Sequence, residues 1–226
     1  YSAIGWQCRR TTKMCELLRK KYAQKIKAKT GLVLDPYFSA SKMRWMIENV
    51  DAVKKALKEK DLCFGNIDTF LMWKLSNHQV FATDVSNASR TMLMNLKTGA
   101  WDAELLKLFK VPLECLPEIK SSSGLFGEAQ GLDFVKDKTP IAGVAGDQQA
   151  ALFGQACFSV GESKCTFGTG SFILMNTGSQ FLKSKSGLLS TVAWKLGNEK
   201  IQYALEGGAF ICGAAVGGLR DGLELF

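Results

Sequence analysis

A single carboxylate, Asp147, follows an apolar run from Pro140 to Gly146 and precedes apolar residues at helical spacing. This order predicts a strand, a tight turn that carries Asp147, and then a helix. A carboxylate at such a turn projects into a cleft, where it can accept a proton from a substrate hydroxyl group. The alternative interpretation is that Asp147 only caps the N-terminus of the helix.

A second turn lies further along the chain, in the sequence Thr166-Phe167-Gly168-Thr169-Gly170. Small residues in a turn allow backbone N–H groups to approach a phosphate closely. A general base and a phosphate-binding turn in one chain together indicate phosphoryl transfer to an alcohol.

The histidine and cysteine content argues against several other kinds of chemistry. The single histidine, His78, lies in a polar turn, which disfavours mechanisms that need a histidine base or several histidine ligands. The seven cysteines are scattered and form no C-x-x-C pair. This pattern disfavours a zinc site and a secreted disulfide framework, and it indicates reduced thiols in the cytoplasm.

Length and hydrophobicity predict a globular protein with a substantial core. The chain has 226 residues, 46% of them hydrophobic, and no apolar run approaches the length of about 20 residues that a membrane helix needs. We therefore expect no stable membrane insertion. The first residue is Tyr1 rather than Met, and we interpret the chain as a piece of a longer protein.

Positive charge is concentrated in residues 1–60, which hold 15 Lys and Arg against 5 Asp and Glu. Such a segment could bind nucleic acid. The charges recur at helical spacing, however, and no aromatic residues are interleaved with them for base stacking. We interpret the segment as solvated helix faces and expect no nucleic-acid partner.

The order of elements predicts an α/β protein. We predict helices at about 7–27, 39–50, 53–59, 69–75 and 105–109, a strand and turn at 62–68, and further strands at 80–83, 163–166, 171–178, 188–194 and 201–206. Segments 84–91 and 119–127 are predicted as loops. The small-residue run 207–221 is predicted as a helix entered by glycines, against which a flat ligand or another backbone could pack. A shift in composition near Gly154 to Gly161 predicts a second domain, which divides the chain into residues 1–156 and 157–226.

Several motifs resemble those of a known family. They are Trp6-Gln7-Cys8-Arg9-Arg10-Thr11, Asp35-Pro36-Tyr37-Phe38-Ser39, Tyr37-x-Ser39-x-x-Lys42-Met43-x-Trp45-Met46-x-Glu48-Asn49, Asn87-Ala88-Ser89-Arg90-Thr91-Met92-Leu93, and Gly146-Asp147-Gln148-Gln149-Ala150-Ala151-Leu152-Phe153-Gly154-Gln155. Their types and order resemble the FGGY carbohydrate kinases, and most specifically the branch that acts on glycerol. The resemblance implies the actin-like ATPase (ribonuclease H-like) fold, with the end of its first domain and the start of its second.

The resemblance also implies an activity and its participants. The reaction is the ATP-dependent phosphorylation of glycerol to sn-glycerol 3-phosphate in glycerol catabolism, with ATP and Mg²⁺ as cofactors. Relatives of this kind imply a cytoplasmic homo-oligomer, either a dimer or a tetramer.

Roles for individual residues follow from their positions in the family motifs. Asp147 resembles the general base and the metal-ligating carboxylate. The residues that resemble glycerol-binding groups are Tyr37 and Gln148 as hydrogen-bonding partners and Trp6 and Phe172 as apolar walls, although Trp6 alone fits a core position equally well. The residues that resemble nucleotide contacts are Thr169, Gly170 and Gly213.

Some features depart from the family pattern and leave alternatives open. Gly217 stands where many relatives carry a glutamine near the nucleotide. The first phosphate loop of the family and an Arg-Glu pair that holds glycerol would precede residue 1, and the rest of the nucleotide domain would follow residue 226, so we expect both sites to be incomplete in this chain. The alternatives are a related sugar kinase that uses a ketose or gluconate, or a truncated non-catalytic paralogue that acts as a binding protein.

Overall fold

Helices form most of the first third of the chain. The computed structural model describes residues 1–225. Its first elements are α1 (Thr12–Thr30), α2 (Ser39–Asn49), α3 (Asp51–Glu59) and α4 (Ile67–Leu75). α1 ends because Gly31 adopts a left-handed φ of 70°, and its N–H donates to the Lys27 carbonyl at 2.9 Å. Of the helices in residues 1–225, none is both long enough and apolar enough to cross a membrane.

The middle of the chain alternates short strands with short helices. Its elements are β1 (Ala82–Asp84), α5 (Val85–Ala88), β2 (Met94–Asn95), β3 (Ala100–Trp101), α6 (Ala103–Phe109), β4 (Glu118–Lys120), β5 (Ser123–Glu128) and β6 (Pro140–Gly143). β1 pairs with β4 in parallel, whereas β5 and β6 form an antiparallel pair.

Both loop predictions in this region are wrong. Segment 84–91 forms α5 and a 3₁₀ turn, because the Asp84 carboxylate caps α5 by accepting the N–H groups of Ser86 and Asn87. Segment 119–127 contributes to β4 and β5. The partner of β4 is a strand far earlier in the sequence, and a local pattern does not reveal such a pairing.

The last part of the chain begins with a helix that packs on an antiparallel sheet. α7 (Asp147–Gly154) is followed by β7 (Ser163–Phe167), β8 (Ser171–Gly178), β9 (Leu189–Trp194) and β10 (Gln202–Ala209), which are ordered β7-β8-β10-β9 in the sheet. α8 (Gly213–Gly217) and a π-helical turn (Gly218–Gly222) come last. The strand predictions for this part of the chain are confirmed. The strand predicted within 62–68 is wrong, because residues 61–66 belong to no helix or strand and α4 begins at Ile67. The helix prediction for 207–221 is only partly right, because Gly207 to Ala209 continue β10.

The sheet shares its core with both α7 and the earlier elements. Leu152 of α7 is fully buried against Leu174 of β8 in a cluster that also holds Trp194. A second cluster joins residues of α5 and β2 to Val192 of β9 and Tyr203 of β10. α7 is therefore packed against one face of the sheet.

Candidate active site

A chain of hydrogen bonds to buried side chains holds the turn before Asp147 in place. α7 begins at Asp147, and Gly146 occupies the N-cap position. The Gly146 N–H donates to Ser86 Oγ at 2.9 Å, and this hydroxyl donates to the fully buried Asp84 carboxylate at 3.0 Å. The Asp147 side chain is exposed, and none of the described side chains forms a capping hydrogen bond at the N-terminus of α7. The alternative that Asp147 caps the helix is therefore wrong.

Hydrogen bonds connect Asp147 to the sheet through three polar side chains. Gln148 Nε2 donates to Asp147 Oδ2 at 3.2 Å, and Gln148 Oε1 accepts from Lys164 Nζ. Lys164 Nζ also donates to Thr166 Oγ1 at 2.8 Å. Burial lowers the pKa of the Lys164 ammonium, while the negative charges of Asp147 and Glu206 oppose that shift.

A buried ion pair lies beside Tyr37. Arg90 donates to Glu206 Oε1 at 2.7 Å, and its guanidinium lies 5.4 Å from the centre of the Phe38 ring. Burial raises the pKa of the Tyr37 phenol, and the Arg90 guanidinium acts in the opposite direction. The carboxylates of Glu206 and Asp147 add to the rise in the pKa of Tyr37. Tyr37 and Asp147 thus belong to one electrostatic environment.

A pocket of about 380 Å³ opens beside Tyr37. The Tyr37 ring centre lies 5.5 Å from that of Trp6 and 5.6 Å from that of Phe210. The pocket is lined by Trp6, Gln7, Arg9, Asp35, Tyr37, Phe210 and Ile211. Trp6 therefore forms part of a pocket wall, and it remains 42% exposed.

Phe172 stands on the sheet face that carries the charged groups. It lies in β8 two residues before Leu174, so both side chains occupy the same face. Leu174 pairs with Lys164 in β7 and with Glu206 in β10. Phe172 itself is partly buried against the cluster that contains Leu152. The ring that the structure places against Trp6 and Tyr37 is that of Phe210, which the sequence did not predict.

The expected nucleotide residues converge at one end of the sheet. The Cys212 N–H donates to the Thr169 carbonyl at 2.8 Å, and the Gly213 N–H donates to the Gly168 carbonyl at 2.9 Å. A Cβ atom at Gly213 would lie 2.6 Å from Gly168 O, and one at Gly170 would lie 2.7 Å from a backbone oxygen. These glycines allow two backbone segments to touch, and ligand contact by this small-residue run stays a prediction.

Sequence reasoning assigned no role to three of the charged residues at this site. Arg90 lies within a recognised motif, but nothing in the motif indicated that it pairs with Glu206. Glu206 and Lys164 are 4% and 5% exposed, respectively. A charged residue on the buried face of a predicted strand was the available signal, because such residues are seldom buried unless paired.

The carboxylates of the site fit Mg²⁺ only in company with other ligands. Residues 1–225 contain no group of three or more His, Cys, Asp or Glu side chains arranged to hold a metal ion. Mg²⁺ usually binds one or two carboxylates together with substrate phosphates and water. The exposed Asp147 carboxylate, with Gln148 as its hydrogen-bond donor, retains acceptor sites for such a role.

Comparisons with known proteins agree on one family. The sequence profile of the FGGY family of carbohydrate kinases, N-terminal domain, matches residues 1–154. The chain is 60% identical to a glycerol kinase of Bdellovibrio bacteriovorus over 226 residues, which cover 100% of this chain and 46% of that protein. The chain therefore spans a little under half the length of the curated relatives that it matches.

Solved structures show the same likeness. The Plasmodium falciparum glycerol kinase with ADP matches 98% of this chain and 44% of its own, at a TM-score of 0.91 and 40% identity. A ligand-bound xylulose kinase from Lactobacillus acidophilus matches 96% of this chain and 43% of its own, at a TM-score of 0.79 and 22% identity. The second match bears on the fold alone.

Proposed function

Because this chain belongs to the FGGY family of carbohydrate kinases, we propose that the whole protein transfers the γ-phosphoryl group of ATP to glycerol. The product is sn-glycerol 3-phosphate. The expected α/β architecture, the actin-like ATPase fold, is confirmed by the match to the solved kinases. The observation that carries the proposal is the exposed Asp147 carboxylate, which is held at the start of α7 beside Gln148.

Asp147 acts as the general base in this proposal. The carboxylate takes the proton of a terminal glycerol hydroxyl while that oxygen forms a bond to the γ-phosphorus of ATP. The bond from the γ-phosphorus to the bridging oxygen breaks, and ADP leaves with the electron pair. Proton removal by a positioned base typically contributes roughly 10²- to 10⁴-fold in rate.

The pocket beside Tyr37, whose lining includes neither Gln148 nor Phe172, and the side chains around Asp147 together supply the groups that a small polyol needs. The Tyr37 hydroxyl and the Gln148 amide hydrogen-bond the glycerol hydroxyls. Trp6 and Phe172 pack against the glycerol carbons, and the position of Phe210 against Trp6 supports a share for that ring in the wall. A few convergent polar groups beside apolar walls are typical of small-molecule sites.

The nucleotide occupies the other side of Asp147 in this proposal. Thr169 and Gly170 approach its phosphates, and Gly213 lies along the segment that receives the adenosine. Asp147 would hold the Mg²⁺ ion. When bound, Mg²⁺ supplies charge neutralisation on the transferred phosphoryl group.

The remaining properties follow the same family. We place the end of the substrate domain at residue 156 and the start of the nucleotide domain at residue 157. We also propose that the protein is cytoplasmic and assembles as a homo-dimer or homo-tetramer. Size-exclusion chromatography with light scattering on the full-length protein measures the assembly directly.

The test is glycerol-dependent ADP formation by the full-length protein with Mg-ATP. We expect Asp147→Asn to lower kcat by at least about 10²-fold, while glycerol still binds in calorimetry because the side chain keeps its size. Asp133→Asn, at an exposed carboxylate between β5 and β6, is the matched control and should leave kcat unchanged.

Near-wild-type turnover by Asp147→Asn would refute the role as base. Xylulose and gluconate should be assayed beside glycerol, since preferential phosphorylation of either sugar would favour the sugar-kinase alternative. Glycerol binding without turnover of any of the three would favour the binding-protein alternative.

A further inference from the structure

Lys164 is a charged residue at a buried position of the sheet, which is unusual. It lies in β7, and only 5% of its surface is exposed. A buried ammonium group is stable only when its donors are used. Lys164 Nζ donates hydrogen bonds to the side-chain oxygen Oε1 of Gln148 and to Thr166 Oγ1. The buried Lys164 ammonium group therefore contacts Gln148, a side chain of the proposed substrate site.

The chemistry of these groups fixes the orientation of the Gln148 amide. An ammonium group only donates hydrogen bonds, whereas an ionised carboxylate only accepts them. A glutamine between the two satisfies both in one orientation, with its oxygen toward Lys164 and its nitrogen toward Asp147. If the amide were turned over, its NH₂ group would face the ammonium and its oxygen would face the carboxylate.

We propose that Lys164 is a positioning residue for phosphoryl transfer, which holds the Gln148 amide in the orientation that serves Asp147 and the glycerol hydroxyls. The assignment rests on the function proposed above. In this arrangement Thr166 holds the ammonium on its sheet side, while Gln148 transmits its position to the site. The facing charges are the carboxylates of Asp147 and Glu206, and both favour a cation at this place.

Replacement of Lys164 should therefore act on glycerol rather than on ATP. In the full-length protein we expect Lys164→Met to raise the KM for glycerol by roughly 10- to 100-fold, the effect of losing a hydrogen bond to a charged group. The KM for ATP should stay within about twofold, since Lys164 bonds Thr166 at the start of the phosphate-binding turn but not the proposed nucleotide contacts Thr169 and Gly170. Lys200→Met, at an exposed lysine between β9 and β10, is the matched control and should change neither constant.

A double-mutant cycle separates positioning from a merely structural role. If Lys164 acts through Gln148, Lys164→Met should have almost no further effect on the glycerol KM in a Gln148→Leu background. Two full, additive effects would overturn the proposal, and so would an unchanged glycerol KM in Lys164→Met. Thr166→Val provides a milder variant should Lys164→Met fail to fold, and it should raise the glycerol KM by about two- to fivefold. An unchanged glycerol KM in Thr166→Val would then count against the proposal.

The proposed function and the role of Lys164 can fail separately. Wild-type protein that does not phosphorylate glycerol would refute the function. The side-chain amide resonances of Gln148 in nuclear magnetic resonance spectra would still report its position without turnover. We expect them to shift in Lys164→Met and not in Lys200→Met, and identical resonances in wild type and Lys164→Met would refute the positioning role.

Discussion

Two neighbouring carboxylates differ in a way that supports the proposed role of Asp147 as a base. The buried Asp84 accepts from two backbone N–H groups and from Ser86 Oγ at 3.0 Å and Ser122 Oγ at 2.6 Å. Its oxygens are occupied, and its role is structural. Asp147 is exposed and accepts from Gln148 alone among the described side chains. Its remaining acceptor sites are available to a substrate hydroxyl group.

Phe210 offers a test of the pocket wall at the scale of one residue. Phe210→Ala should raise the KM for glycerol by roughly fivefold, because loss of the ring removes about 1 kcal/mol of apolar contact with the carbon chain. The ring is 52% exposed, so the free energy of unfolding should change by less than about 1 kcal/mol. Steady-state kinetics and urea unfolding measure the two quantities.

Phe134→Ala is the control for this prediction, because its ring is 74% exposed on the chain between β5 and β6. It should leave both quantities as they are in the wild type. A Phe210→Ala variant with wild-type glycerol KM would show that the pocket beside Tyr37 does not hold the substrate.

At the scale of elements, the sequence predicted those helices and strands whose formation depends on residues close together in the chain. The strand, turn and helix around Asp147 are confirmed, because an apolar run, a small-residue turn and helical spacing follow one another directly. β4 could not be predicted, since its partner β1 lies more than thirty residues earlier and parallel pairing leaves no local signature. Phe210 was missed for a related reason, because it belongs to a run whose glycines predicted a helix.

Asp102 connects α1 to α6 and makes their packing depend on pH. It caps α6 by accepting from the Glu104 N–H at 3.0 Å, and it also accepts from Lys29 Nζ at 2.7 Å and from Asn95 Nδ2 at 2.9 Å. Burial pushes the pKa of Asp102 upward, but the hydrogen bonds from Lys29 and Asn95 outweigh it and hold the pKa below its usual value. A depressed folded-state pKa stabilises the protein above the ordinary aspartate pKa of about 3.9.

We expect Asp102→Asn to lower the free energy of unfolding by about 1 to 2 kcal/mol at neutral pH. The difference in unfolding free energy between this variant and the wild type should disappear as the pH falls below about 4 and through the depressed pKa of Asp102. There the wild-type carboxylate also becomes neutral. Urea unfolding across this range measures it. Asp51→Asn, at a side chain that is 96% exposed, should show no such dependence. A constant difference at every pH would mean that the loss of a hydrogen-bond acceptor, rather than the loss of charge, matters at position 102.

At the scale of the whole molecule, polar contacts join the sheet to the elements that precede it. The Ser89 and Thr191 hydroxyls lie 3.1 Å apart, and Arg90 pairs with Glu206, which is 116 residues away in the sequence. The shared cluster of Val85 and Val192 lies in the same contact region. The junction lies next to the pocket beside Tyr37, because Arg90 contacts both Glu206 and the ring of Phe38, the residue that follows Tyr37. Sequence reasoning could not find the pair, since neither partner signals the other.

A double-mutant cycle tests whether the Arg90–Glu206 pair holds the molecule together. We expect Arg90→Met to lower the free energy of unfolding of the full-length protein by about 3 kcal/mol, because it leaves the Glu206 carboxylate buried without its partner. Arg90→Met with Glu206→Met should recover most of this loss, since two apolar side chains of similar volume fill the space. Arg220→Met, in the exposed pair with Asp221, should change stability by less than about 0.5 kcal/mol. Glu206→Met alone completes the cycle. If the effects of Arg90→Met and Glu206→Met add up in the double variant, the pair does not couple the sheet to the earlier elements, and packing of the apolar cluster alone holds them together.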